Sequence, residues 1–225
     1  MRIISLGHGC QVGVNINRFL EKKEETNFFD WLITDFKSVL YILKNIDNKE
    51  LITKSKFTDK QLCGKNFVGI EDHKHTHQIE CIDFKMLSIH DFPSNIHYMD
   101  YMDEFISKYN RRLNRLKNII NNNAVLHMIH CLDHQFTDCY IITNDDILNF
   151  KKYLCNINSN NNYFLHIVIP PKYNNIDLNN LIQDNVYVYY LQDTHKEVND
   201  WQNKNFNWEI IFDNINNINK KAVNL

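Results

Sequence analysis

The chain reads as a single α/β domain over residues 1–225, with a largely parallel central sheet flanked by helices. Three observations carry that expectation. Apolar stretches of strand length alternate with stretches of helical periodicity. The first apolar run passes through two glycines directly into a helical pattern, as in a βα unit. And 225 residues suit one large domain with room for one embellishment. That embellishment is expected as a small β hairpin or flap around residues 67–92.

Taken in order, Arg2-Ile3-Ile4-Ser5-Leu6 is a short buried strand that meets Gly7-His8-Gly9-Cys10. Val12, Ile16, Phe19 and Leu20 then recur at helical spacing. Residues 21–26 form a polar break, followed by Asn27-Phe28-Phe29-Asp30-Trp31-Leu32-Ile33, too apolar for a surface loop. Phe36, Val39, Leu40 and Leu43 mark a second helix starting near Asp35. Residues 50–66 read as irregular and lysine-rich. Phe67-Val68-Gly69-Ile70 and Gln78 to Phe84 read as extended, which places the hairpin.

The longest helical stretch covers 98–122, with Phe105, Tyr109, Arg112, Leu113, Leu116 and Ile120 on one face. Buried strands are expected at 124–129, 163–169 and 186–191, a helix at 144–155 and a last helix at 208–218. Asparagine runs at 121–123, 158–162 and 214–219 read as loops and helix ends without a chemical role.

Composition bounds the function. The chain is 44% hydrophobic and 23% charged, with 14 Phe and 11 Tyr, enough for a substantial core. A formal net charge of −2 argues against an electrostatic nucleic-acid binder. No leader-like apolar region opens the sequence, and no apolar run is long enough to span a bilayer, so a cytoplasmic protein is expected. The six cysteines form no CxxC pair and read as free thiols. Walker, GxGxxG and GxSxG patterns are missing, which argues against phosphate-loop nucleotidases and elbow-type serine hydrolases.

The chemistry centres on Cys10. A thiol at the first turn of a helix sits among free N–H groups at a positive dipole end, which favours thiolate, the nucleophilic form. The alternative is a small buried cysteine in a βα corner. The backbone N–H groups around Gly9 and Gln11 are positioned to hold an oxyanion. A thiolate needs a base, and His90, in Ser88-Ile89-His90-Asp91-Phe92, ends an extended segment. Asp91 could orient it only if the backbone turns there, because strand neighbours face opposite sides. Asp30 is the other carboxylate candidate, as a helix cap or as a site partner.

Other clusters have weaker claims. His73, His75 and His77 alternate and could face one way toward a metal, but no carboxylate ligand accompanies them, and a solvated loop is the expectation. No metal is expected. His127, His130, Asp133 and His134 cluster at a strand end. Lys108, Arg111, Arg112 and Arg115 could clamp a phosphate or carboxylate, or simply form a solvated face.

Ser5-Leu6-Gly7-x-x-Cys10, Phe29-Asp30-Trp31, His90-Asp91-Phe92 and Tyr109-x-Arg111-Arg112 occur in that order, followed by Trp201 and Trp208. The set resembles a family of unknown function labelled putative papain-like cysteine peptidases, found in bacteria and large DNA viruses, some members beside or fused to glycan-modifying enzymes. The chain departs from the pattern in carrying Phe28 where that family tends to have proline, and in its asparagine-rich loops. The resemblance implies Cys10 as nucleophile and His90 as base. It leaves the acceptor open. The leading expectation is an N-acetyltransferase that takes acetyl from acetyl-CoA onto Cys10 and passes it to an amino sugar or nucleotide sugar, with Arg111, Arg112, Arg115 and Trp31 binding substrate. The alternative is a peptidase or amidase with the same pair and water as acceptor. A third is a non-catalytic binding domain in glycan or virion assembly.

Overall fold

The computed structural model describes residues 2–7, 10–21, 25–59, 76–84, 86–93, 96–122, 125–132, 140–160, 162–173, 175–181, 184–192 and 206–223. The expected strand at 67–70, and Gly9, Cys63, His73, His75, Asp133, His134, Cys139 and Trp201, lie outside them.

The architecture is α/β. Strands β1 (Arg2–Ser5), β6 (Val125–Cys131), β7 (Asn162–Ile169) and β8 (Val186–Tyr190) form a four-stranded parallel sheet in the order β1-β6-β7-β8. Its register aligns Ile3 with His127 and Phe164, and Ile129 with His166 and Tyr187. Helices α1 (Cys10–Phe19) and α5 (Glu209–Val223) cover one face. Ile3, Val12, Ile16, Ile129, Trp208, Ile211, Phe212 and Ile215 are buried between them. Helices α2 (Phe36–Lys44), α3 (Tyr98–Asn122) and α4 (Asn144–Ile157) contribute to a second core built on the other face, with Ile4, Leu6, Met128, Leu165 and Ile167. The period-2 alternation of Ile3 and Ile4 thus feeds two separate cores.

Two helices begin at side-chain caps. Asp35 caps α2, its Oδ1 accepting from the Ser38 N–H at 2.7 Å and the Ser38 hydroxyl at 2.6 Å. Thr143 and Asp146 form a reciprocal capping box on α4. On α3, Met102, Phe105, Tyr109, Arg112, Leu113, Leu116 and Ile120 are buried, the three-and-four spacing of an inward stripe.

The expected hairpin is part of something larger. Strands β2 (Leu32–Thr34), β3 (Phe57–Asp59), β4 (Thr76–Cys81) and β5 (Met86–Pro93) build a four-stranded antiparallel sheet in the order β2-β5-β4-β3. Residues 57–59, read as irregular, form an edge strand there, and 32–34 close the other edge. Three-residue strands carry too little periodicity to be seen in sequence; pairing with long neighbours makes them strands.

The asparagine expectation also changes. Asn214 and Asn219 lie on α5 and turn into the interior, where they hydrogen-bond Tyr189 and His127. No helix of the described residues is long and apolar enough to cross a membrane. Cys10, Cys81, Cys131 and Cys155, the cysteines described, are free thiols as expected.

Candidate active site

The site is assembled at the carboxyl end of β1. The Leu6 N–H continues the ladder to the Ile129 carbonyl at 2.8 Å, and the Ser5 hydroxyl accepts from the Gly7 N–H at 3.1 Å. Gly7 then turns at φ +94°, a left-handed conformation for which glycine is suited. A Cβ at Gly7 would stand 2.0 Å from Thr34 Oγ1, so the turn presses directly on β2. The chain enters α1 at Cys10, half-buried at the first helical residue.

The thiol is not ionised by that position. Burial pushes Cys10 up to about 11, against the lowering effect of its backbone hydrogen bond. The expectation of a depressed thiol pKa is therefore corrected: desolvation outweighs the helix end, and any nucleophilic use of this thiol would need a base to take its proton. Gln11 follows in the first turn, where backbone N–H groups have no intrahelical acceptor. Its side chain is buried, and among the described residues Oε1 has no hydrogen-bond partner.

Asp30 is brought to the same helix. A Cβ at Gly13, one turn beyond Cys10, would lie 3.2 Å from Asp30 Oδ1. Residues 10 and 13 share a helix face. Asp30 is no helix cap, since Asp35 caps α2; it accepts from the Asn27 N–H at 2.6 Å within a tight turn. Burial pushes its carboxyl up to about 6, against the Asn27 N–H and the charges of Arg112, Arg115 and Arg2. Trp31, half-buried, follows it into β2.

His90 lies on β5, which pairs with β2 through Leu32 and Ser88, Ile33 and Leu87, and Thr34 and Met86. Its side chain is outside the described residues. The backbone there is a bulge. Ile79 pairs with Ser88 and His77 with Phe92, so Ile89, His90 and Asp91 oppose the single residue Gln78. At this bulge Asp91 faces Ser88 and α3. Asp91 Oδ2 accepts from the Ser88 hydroxyl at 2.6 Å and the Tyr109 hydroxyl at 2.9 Å, while Oδ1 takes the Lys108 ammonium. Burial alone would raise this carboxyl, but the hydrogen bonds from Lys108 and Ser88 hold it below its ordinary value. Ser88 went unnoticed in the sequence. Its signal was a Ser-x-x-Asp spacing that a flat strand cannot satisfy from one face.

The basic residues of α3 diverge. Arg111 is exposed and donates to Ser107 Oγ at 2.7 Å, away from the others. Arg112 is buried with its guanidinium 4.9 Å from the Tyr109 ring centroid, and among the described residues its Nη1 has no hydrogen-bond partner. Arg115 pairs with Glu25 at 3.1 Å and donates to the Thr26 carbonyl. The solvated-face expectation is corrected for Lys108 and Arg112, which turn toward the packed stripe of residues 105, 109 and 112.

His127 and His130 do not form one cluster, because three residues along a strand place them on opposite faces. His130 Nδ1 lies 3.4 Å from the Leu6 carbonyl and its ring meets Phe36 edge-on. His77 lies on β4, and its side chain is outside the described residues. Among the described residues no three acidic, histidine or cysteine side chains converge on a metal position.

The arrangement unites a thiol at a helix start, a buried carboxyl on that helix's flank, and a histidine strand hydrogen-bonded to the segment that carries the carboxyl. Nothing among curated proteins or solved structures matches the chain. A family model does match residues 1–160, a span that holds Cys10, Asp30, His90, Asp91 and the arginines of α3, and by it the chain belongs to the putative papain-like cysteine peptidase family (DUF1796).

Proposed function

We propose that the chain is a thiol-dependent amide hydrolase, a peptidase or amidase, with Cys10 as nucleophile and His90 as base. The observation that carries the reading is the Gly7 turn, which presses on Thr34 at the β2 edge of the sheet holding His90, three residues before α1 starts at a partly exposed Cys10. His90 takes the thiol proton as sulfur attacks the substrate carbonyl carbon. The backbone N–H groups of Gly9 and Gln11 receive the oxyanion, an interaction worth about 3–4 kcal/mol per donor. The C–N bond breaks, and the proton held by His90 leaves with the amine. Water, deprotonated by His90, then cleaves the Cys10 thioester and regenerates the thiol.

Asp30 is the better candidate for the supporting carboxyl. Asp91 has both oxygens committed to Ser88, Tyr109 and Lys108, whereas Asp30 flanks the Cys10 helix and carries a pKa near the working range of an acid–base group. Asp91 then secures the bulge that bears His90.

A second reading keeps the thioester and changes the acceptor. Acetyl-CoA would load Cys10, and the amine of an amino sugar or nucleotide sugar would take the acetyl group. The net positive set of Arg112, Arg115 and Arg2 around Asp30 favours it, since CoA and a nucleotide sugar both carry phosphates. Intact-protein mass spectrometry with Cys10→Ala as control decides between them. A peptide-derived or amide-derived adduct on Cys10, with cleavage, supports the hydrolase. A 42-Da acetyl adduct after acetyl-CoA alone (the mass of ~C2H2O) supports the transferase. No adduct from either overturns both.

A further inference from the structure

Beneath α5, far along the chain from any residue used above, five polar side chains form one line across the buried sheet face. His127 Nδ1 lies 3.0 Å from His166 Nε2, and His166 Nδ1 lies 2.9 Å from the Tyr189 hydroxyl. Asn214 Nδ2 donates to that hydroxyl at 2.6 Å, and His127 Nε2 lies 3.3 Å from Asn219 Oδ1. Both histidines are fully buried. His127 stacks on Phe164 at 4.9 Å, and His166 on Tyr187 at 5.4 Å.

The donors have a single consistent direction. Asn214 is an amide donor, so Tyr189 accepts from it and gives its own proton to His166 Nδ1. His166 then donates from Nε2 to His127 Nδ1, and His127 donates from Nε2 to Asn219. Both imidazoles are neutral Nε2–H tautomers. A proton added to His127 Nδ1 would face the His166 N–H, donor against donor. A proton added to His166 Nδ1 would force Tyr189 to give up its own donation.

Among the described residues no buried counter-charge offsets such a proton. The neighbours from β1, β7 and β8 are Ile3, Phe164, Tyr187 and Tyr189, and α5 contributes Asn214, Ile215 and Asn219. The charged residues of α5, Glu209, Asp213, Lys220 and Lys221, are exposed. On its other side α5 supports the Cys10 helix, with Phe212 stacked on Phe19 at 4.2 Å and Val12 and Ile16 in the shared core. His166, Tyr189, Asn214 and Asn219 all lie beyond the residues matched by the family model.

We propose that this hydrogen-bonded line is an acid-released latch: protonating either histidine frees α5 from the sheet and so uncovers the helix that begins at Cys10. Burial pushes His127 down to about 4 and His166 down to about 3. Both lie below the ordinary histidine value, so the latch is closed above about pH 6.5 and weakens as pH falls toward 4.

Hydrogen exchange read by mass spectrometry on the intact chain tests this between pH 7 and 4.5, corrected for the pH dependence of intrinsic exchange. The opening constant of residues 209–223 is expected to rise up to about tenfold per pH unit below 6.5 for one proton, and more steeply as both rings titrate. Residues 98–122 keep their protection. A His127→Gln/His166→Gln protein flattens the α5 response, and Tyr189→Phe, which leaves His166 Nδ1 free to take a proton, moves release toward neutral pH. Should the double variant not fold, the wild-type comparison still decides. Opening of α5 and α3 in step, or α5 protection unchanged at pH 4.5, overturns the latch; an unmoved release pH in Tyr189→Phe overturns the donor order.

Discussion

Replacing Gly7 by alanine tests the geometry that delivers Cys10. Two costs add. Residue 7 sits at φ +94°, where an L side chain is strained by about 1–3 kcal/mol. The new methyl would also stand 2.0 Å from Thr34 Oγ1, with Thr34 Cβ at 3.4 Å and Phe29 Cβ at 3.6 Å behind it. Thr34 is fully buried in β2 and its hydroxyl lies 3.5 Å from the Leu6 carbonyl, so it yields only by moving a paired strand. Overpacking of that kind costs about 1–3 kcal/mol. The sum, about 2–6 kcal/mol, lowers Tm by roughly 4–24 °C for a chain of this size. Urea unfolding of Gly7→Ala, Thr34→Ala and the double variant separates the parts. Thr34→Ala removes the clash and leaves the backbone strain, so the double variant should be more stable than the summed losses by about 1–3 kcal/mol. A Gly7→Ala protein within about 0.5 kcal/mol of wild type, or a cycle with no coupling, refutes the account of this turn.

Three further outcomes follow from the site. With the resting thiol near 11, Cys10 alkylation by iodoacetamide should keep accelerating up to about pH 10, and the exposed Cys155 should react faster at pH 7; a Cys10 rate that plateaus below pH 8, followed by peptide mapping, would show a resting thiolate instead. For Asp30, whose folded pKa is raised from 3.8 to about 6, the native state holds a proton that the unfolded state has lost, so this group costs stability as pH rises through that window. Asp30→Asn should abolish turnover yet show a smaller stability loss between pH 4 and 6 than wild type, measured by denaturant midpoints. Lys108→Met leaves the buried Asp91 carboxylate without its cation and should cost about 2–3 kcal/mol, less than a fully buried pair because Lys108 is partly exposed; pairing it with Asp91→Asn should recover part of that loss.

Much of the fold was legible because it rests on local patterns. Strand-length apolar runs and the inward stripe of the 98–122 helix gave elements that match within a few residues, and Asp35 announced the second helix through its side chain. Cys10 was legible for the same reason, as a thiol at a strand–glycine–helix junction. The short strands at 32–34 and 57–59 were not, since three residues show no periodicity and exist through their partners.

What the sequence determined by itself was the order of elements and the identity of a candidate nucleophile, because backbone propensity and side-chain spacing act over a few residues. Tertiary structure decided how each ionisable group behaves. Burial raised the Cys10 thiol that a helix end alone would lower, one bulge committed Asp91 to Lys108 and Tyr109, and the turn at Asn27 set Asp30 against Gly13. Asparagines that looked like loop filler became the two ends of a buried histidine line. Protonation and desolvation depend on everything within a few ångströms, and the residues that supply those surroundings lie far apart in the chain, His127 and Asn219 by 92 positions.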